Sequence, residues 1–460
     1  MPYTCRMANH TQRIRDPIHG LIVFDEKNDV DMLAWSLLQT PEFQRLRRIR
    51  QLGVSEMVFP GATHTRFAHS IGVYHNARKL MRVVRRAVGD GFDRDRAAVV
   101  LLAALLHDLG HGPFSHAFEG ARERIAEQRG IDTIEHHEKF TAKLILAEDG
   151  GIRPLLDRAD GHLAETIAGL IAADDPADIY HAVVSSSFDA DRLDYLVRDR
   201  YMTGSEAGAI DVDWLIDNLD VENIDVGQDG EARIIPTFVF KAKGRQAAED
   251  FLLARYRLYS QVYLHKTTRG FECLLSALIR HVGADETDQD ALGLEAGHPL
   301  RRFLARGGER LEDYRRLDDT VMWGIFERLT RSADAQARHL GERLLNRQRL
   351  KALDLWESYG LDVAASLSAE QRLESHLAGR IGKTVFKDDP RYNLYSLSDG
   401  DVVKAHKVVR VRMADGRPAE IARFRDTIIS KDLTQKTKLT RYYFLSDDER
   451  DEAERKMKGR

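Results

Sequence analysis

Residues 97–112 read AAVVLLAALLHDLGHG, and the fold turns on how that stretch divides. Ala97 to Leu106 is uncharged and apolar on every side of a 3.6-residue period, so the helix it forms is central and not a surface helix. A membrane span takes roughly 18 or more such residues, so this run reads as a buried helix. It ends in His107-Asp108, and Gly110 and Gly112 break the helix directly afterwards. Two metal-capable side chains at the end of a buried helix are costly unless they coordinate an ion or hydrogen-bond well. The stretch therefore predicts a mostly α protein with its chemistry at the end of a central helix.

The flanking sequence continues the helical pattern. Leu33, Leu37, Leu38, Phe43, Leu46 and Ile49 recur at helical steps, with Pro41 separating two short helices. Ile71 to Val88 follows, and Ala247 to Val262 interleaves aromatic and basic residues on an amphipathic helix. Only 11 of 460 residues are proline, about half the usual share. From about Thr384 the character changes: Val402 to Met413 alternates, Ala414-Asp415-Gly416 reads as a hairpin turn, and a charged helix starts near Asp447 after Tyr442-Tyr443-Phe444. The expected organisation is a helical catalytic core over 1–383 and a small α+β appendage over 384–460. A hairpin near Asp225 to Pro236, turning at Asp229-Gly230, and a polar mobile loop from Gly283 to Gly297 are also expected.

The 69 Lys and Arg against 73 Asp and Glu give a formal charge of −4, so neither a nucleic-acid coat nor an anionic-membrane binder is indicated. The two cysteines, Cys5 and Cys273, make no disulfide framework, and the first residues lack the apolar core of a signal peptide. A cytoplasmic protein is the expectation. Eight of the 18 histidines lie between positions 64 and 137. A divalent metal needs imidazole and carboxylate ligands from converging elements. His69, His107 and Asp108 are candidates, with a fourth ligand from Asp189, Asp191 or Asp194, which spacing alone leaves open.

At this point a resemblance becomes specific. The order His69, His107-Asp108, Asp191 resembles the H…HD…D signature of the HD-domain phosphohydrolase superfamily. Asp16-Pro17-Ile18-His19-Gly20, Thr40-Pro41-Glu42-Phe43-Gln44-Arg45-Leu46-Arg47, Gln51-Leu52-Gly53, Arg66-Phe67-Ala68-His69-Ser70 and His107 to His116 resemble its deoxynucleoside triphosphate (dNTP) triphosphohydrolase branch. That branch includes bacterial enzymes and the catalytic domain of the vertebrate SAM-and-HD-domain enzyme. The likeness is strong over about residues 12 to 270 and implies an HD-domain helical bundle. It also implies a divalent ion (iron, zinc, manganese or magnesium) held by His69, His107, Asp108 and Asp191.

The resemblance further implies hydrolysis of dNTPs to deoxynucleoside and triphosphate. His116 would be the general acid, oriented by Glu119, with His111 and His137 at the α-phosphate. Arg66, Arg192 and Arg255 would hold the triphosphate. Tyr263 would exclude a 2′-hydroxyl, with Gln51, Leu52, Tyr195 and Asp199 around the sugar. Leu264 stands where relatives commonly have Gln, so base preference is open. A nucleotide effector site touching Arg47, Gln39 and Lys266, and a homo-oligomer (dimer or tetramer), are implied as well. Gln39 replaces an Asp of the vertebrate enzyme, exchanging an acceptor for a donor, so guanine specificity of the effector is not carried over. The alternatives are another HD-type nucleotide phosphohydrolase, such as a nucleotidase or single-strand nuclease, and a non-catalytic nucleotide sensor; nucleic acid and membrane are not expected partners.

Overall fold

Asp93 starts the central helix by accepting from the Arg96 amide at 2.9 Å, and the helix runs Arg94–Leu106. Ala97, Val99, Val100 and Leu102 to Leu106 are all buried, as an apolar circumference requires. The computed structural model describes residues 10–132, 134–173, 178–207, 209–225, 234–359, 362–392, 406–429 and 437–459. Over these the chain is mostly helical. The helix Arg66–Val88, closed by Gly89 at φ +63°, packs against the central helix and against Ala190–Thr203, which Asp189 caps through the Arg192 amide. Asp29–Leu38 and Leu163–Ala172 cover further sides of the central helix. Pro41 sits in the first turn of Pro41–Arg45, so the two short helices divide where the sequence places them.

A second apolar core gathers around Lys266–Gly283, which lies on His116–Gln128 and Ala335–Leu345. The stretch from Gly283 to Gly297 belongs to it. Leu292 and Leu294 are buried in this core, and the Ala291 carbonyl accepts from Ser332 Oγ at 2.7 Å. Two leucines thus anchor a connection that is otherwise polar and largely at the surface.

Among the described residues beyond 384, Arg391–Tyr392 and Thr437–Lys438 pair antiparallel with each other, and the other strands join two larger sheets. Leu219–Asp225 and Ile234–Phe240 form the expected antiparallel hairpin, whose turn at Asp229-Gly230 lies outside the described residues. Arg410–Arg412 extends it in parallel, with Phe240 opposite Val411, and Pro418–Glu420 completes four strands. Residues 402–405 of the alternating stretch from Val402 to Met413 lie outside the described residues; among the described ones, Arg410–Arg412 is strand. Val408 and Val409 instead bury themselves in the first core, and the Ser187 amide donates to the His406 carbonyl at 3.1 Å. In the other sheet Arg441–Phe444 lies between Lys351–Asp354 and Val385–Asp388, antiparallel to both. Both sheets therefore join residues on either side of position 384. The charged helix Asp447–Met457 follows, capped by Ser446. No described helix is long and apolar enough to cross a membrane.

Candidate active site

The chain leaves the central helix at His107 and turns sharply through Leu109-Gly110-His111. Three elements clasp this loop. Arg45 donates to the carbonyls of Leu109 (3.2 Å), His111 (2.8 Å) and Leu317 (2.9 Å) while buried. Tyr314 donates to the Gly110 carbonyl at 2.5 Å. Thr141 Oγ1 accepts from the Gly110 amide at 2.8 Å and donates to the His107 carbonyl at 3.0 Å. A Cβ at Gly110 would fall 2.0 Å from the His137 carbonyl oxygen, which explains the glycine.

Four potential ligands converge where this loop meets the Ala190–Thr203 helix. His69 Nε2 lies 2.9 Å from Asp191 Oδ1 and 3.8 Å from Asp108 Oδ2. His107 Nε2 lies 3.2 Å from Asp108 Oδ1 and 3.9 Å from Asp191 Oδ1. Both Nε2 atoms are buried without a hydrogen-bond partner; the contact of His69 with Asp191 is short but misaligned for a hydrogen bond. Their Nδ1 atoms are occupied, His69 by Asp194 Oδ2 at 2.8 Å and His107 by the Ala104 carbonyl at 2.9 Å. A ring that donates from Nδ1 presents a lone pair at Nε2, the arrangement a metal requires. Orphaned imidazole nitrogens beside two carboxylates fit a divalent cation, and mixed N and O donors do not select among iron, zinc, manganese and magnesium. Of the three aspartates left open by spacing, Asp191 faces this cluster, Asp189 caps its helix and Asp194 stands behind His69.

The loop then strains before its next helix. Phe114 and Ser115 have φ of +55° and +58°, conformations that cost non-glycine residues about 1–3 kcal/mol each. Neighbours hold them there. Asp319 accepts from the Phe114 amide at 2.7 Å and the Arg50 amide at 2.8 Å, and Ser115 Oγ accepts from Arg66 Nε at 2.8 Å and donates to the Arg50 carbonyl at 3.1 Å. This turn starts His116–Gln128 and sets His116 at the mouth of a cavity of about 490 Å³.

Most of the sequence candidates line that cavity: Gln51, Leu52, Arg66, His107, Asp108, His111, His116, His137, Asp191, Arg192, Tyr195, Asp199, Arg255 and Tyr263. His69 is buried behind its wall. Glu119 also lies behind it, gathering His116 Nδ1 at 3.3 Å, His137 Nδ1 at 3.3 Å, the His137 amide at 2.9 Å and His136 Nδ1 at 3.1 Å. Burial opposes the charged form of Glu119, yet hydrogen bonds from His116 and His137 hold its carboxylate well below the usual range. His111 stacks on His137 with ring centroids 3.9 Å apart, and its Nε2 is 3.3 Å from Asp108 Oδ1. Burial, with Arg66 and His137 adding to it, keeps His111 neutral. Arg66 donates to Asp108 Oδ2 at 2.5 Å, and Arg192 pairs with Asp189. Arg192 and Arg255 each have a buried Nε without a partner. Tyr263 donates to Asp199 Oδ2 at 2.6 Å, and Asp199 Oδ1 meets His64 Nε2 at 2.8 Å.

Arg47, Gln39 and Lys266 are not brought to this cavity. Arg47 covers the Phe67 ring at 3.5 Å, Gln39 ends the Asp29–Leu38 helix, and Lys266 reaches Glu357 at 3.3 Å on the surface. Sequence reading missed Arg45, Tyr314, Asp319, Arg269 and Glu272, of which the last two line the cavity. Only Arg45 carried a signal, within the Thr40 to Arg47 motif.

A family model described as "HD domain" matches residues 66–195, and one described as "HD associated region" matches 210–295. An uncharacterized protein of Bacillus subtilis, YwfO, is 34% identical over 349 residues, 76% of this chain and 73% of that protein. The "deoxynucleoside triphosphate triphosphohydrolase SAMHD1 homolog" of Dictyostelium discoideum is 32% identical over 272 residues, 57% of this chain and 48% of that one. The crystal structure of a phosphohydrolase from Bacteroides thetaiotaomicron superposes with a TM-score of 0.70 at 27% identity, covering 94% of this chain and 99% of that one. With the His69, His107, Asp108 and Asp191 side chains drawn together inside the matched HD segment, the chain belongs to the HD-domain phosphohydrolase superfamily.

Proposed function

We propose that this protein is a metal-dependent triphosphohydrolase that splits dNTPs into deoxynucleoside and tripolyphosphate. The observation that carries the reading is one cavity lined by His107, Asp108, Asp191, His116, three arginines and the Tyr263–Asp199 pair, with His69 and Glu119 directly behind its wall against Asp191 and His116. The four clustered side chains would hold the cation, which supplies Lewis acidity and a low-pKa water. A triphosphate brings about four negative charges, which Arg66, Arg192 and Arg255 counter, the buried Nε atoms of the last two being available to its oxygens. His111 and His137 face the α-phosphate. His116 donates a proton to the departing 5′-oxygen, while Glu119 accepts from Nδ1 and stabilises the charged ring. Tyr263, fixed by Asp199, occupies the space of a 2′-hydroxyl, and Gln51, whose Oε1 is buried without a partner, reads the 3′-hydroxyl beside Leu52 and Tyr195. The SAMHD1-named relative supports this substrate class.

The same reading includes a cytoplasmic homo-oligomer and a nucleotide effector bound near Arg47, Gln39 and Lys266, away from the cavity. The deciding experiment incubates the protein with each dNTP and NTP plus Mn²⁺ and separates products by ion exchange. Tripolyphosphate from dNTPs alone is expected. Orthophosphate, pyrophosphate or cleaved oligonucleotides would replace this reading with another HD-type hydrolase.

A further inference from the structure

Behind the metal-facing cluster, the bond from His69 to Asp194 continues into a second polar assembly outside the cavity lining. Asp194 is fully buried and takes four hydrogen bonds on two oxygens: from His69 Nδ1 (2.8 Å), His19 Nε2 (2.6 Å), Arg198 Nε (2.7 Å) and Arg198 Nη2 (2.9 Å). Arg198, itself fully buried, reaches on to Asp16 with Nη1 at 2.9 Å and Nη2 at 3.3 Å. Asp16 also closes the turn of the first hairpin, Gln12–Asp16 and Gly20–Phe24, by accepting from the amides of Ile18 (2.9 Å) and His19 (3.0 Å). The Asp16-Pro17-Ile18-His19-Gly20 turn is therefore wired to the back of His69.

Two features show that the packing serves this contact. Gly72, one turn after His69, leaves the space in which the Asp194 and Arg198 side chains sit; a Cβ there would lie 1.8 Å from Asp194 Oδ1. The His19 ring is also fixed from outside by the His75 ring, centroids 4.9 Å apart. With Asp194 Oδ2 at 2.8 Å, His69 donates from Nδ1, and the ring is thereby aimed with Nε2 toward Asp191 and the metal-facing cluster. His19 removes the remaining freedom of that carboxylate: without its donor, Asp194 can rotate toward Arg198 and let the His69 ring turn.

We infer that His19 is a positioning residue for the metal site, acting through Asp194 to fix the tautomer and aim of His69, so that the first hairpin governs how tightly the cation is held. The inference rests on the metal reading above, and the test separates the two. The metal-free full chain is titrated with Co²⁺ against a competing chelator, and its visible absorption is recorded. His19→Phe keeps the ring packed on His75 and loses only the N–H donor; His19→Gln restores a donor. Co²⁺ affinity is expected to fall about tenfold or more in His19→Phe, with an altered spectrum, and to recover in His19→Gln, while the melting temperatures of the metal-free proteins stay close together. Asp194→Asn, which sets an amide N–H against the His69 donor, should lose more than His19→Phe does. Wild-type affinity and spectrum in His19→Phe would overturn the inference while leaving the metal site standing. A wild-type chain that takes up no Co²⁺ would overturn the metal reading, and this inference with it.

Discussion

His116 and Gly72 show how single positions carry unequal risk. His116 is among the more exposed side chains of the site, at 72%; it hydrogen-bonds Glu119 and sets its ring edge-on to His111 and His137. It belongs to neither apolar core, so His116→Ala should retain metal and nucleotide binding while kcat falls about 10²–10⁴-fold. Near-normal turnover in that variant would remove His116 as the proton donor. Gly72→Ala is the opposite case. One methyl group placed 1.8 Å from Asp194 Oδ1 forces apart a packed ion pair, at a cost of about 1–3 kcal/mol or more. Chemical denaturation should show that loss together with weakened metal binding, although position 72 touches no substrate.

At the level of elements, the strained turn before His116–Gln128 depends on one carboxylate from a distant helix. Asp319 opens Asp319–Leu329 and receives the Arg50 and Phe114 amides. Burial pushes its carboxyl up to about 7, the two backbone hydrogen bonds working the other way. Between the ordinary carboxylate value and about 7 the folded chain holds a proton that the unfolded chain has released. The stabilisation from this group is therefore full at acid pH and is lost as pH rises through about 7. Asp319→Asn does not titrate, so the stability of wild type minus variant should shrink between about pH 4 and about pH 7 and level off above that; a constant difference in urea unfolding would refute the assignment. Asp319 also marks what sequence reading reaches. The central helix, its His-Asp ending and the breaking glycines were legible because periodicity and breakers act over a few residues. Tyr314 and Asp319 were not, since each acts on a loop it meets only after folding, and nothing in a local window separates them from ordinary surface or core residues; Arg45 lay within the Thr40 to Arg47 motif, but its grip on that loop did not show there. The three aspartates at 189, 191 and 194 make the same point: spacing put them on one helix turn, but only the neighbours at each side gave them different tasks.

Across the whole molecule, the change of character near residue 384 was visible in the sequence, but not where those residues go. Alternation predicts a strand without naming its partner, and the partners are Ile234–Phe240 on one side and Lys351–Asp354 on the other. The second sheet bears on the cavity. Arg269, on its wall, forks onto Asp388 of Val385–Asp388 and pairs with Glu272, and Arg441 donates from Nη1 to the Leu264 carbonyl at 2.5 Å. Asp388→Ala frees that wall without touching the metal cluster. The expected outcome is a raised KM for nucleotide with unchanged metal content, read by steady-state kinetics and elemental analysis; a parallel loss of metal would show that the two regions are one unit.

The strand Arg441–Phe444 occupies the middle of its sheet, with a neighbour on each edge. Ribosomes deliver it after both of its neighbours, so until it emerges Lys351–Asp354 and Val385–Asp388 stand apart with open edges, the state in which chains aggregate most readily. A growing polypeptide thus has the histidines of the site long before it has a finished pocket, and hydrolytic power should wait for this strand to emerge.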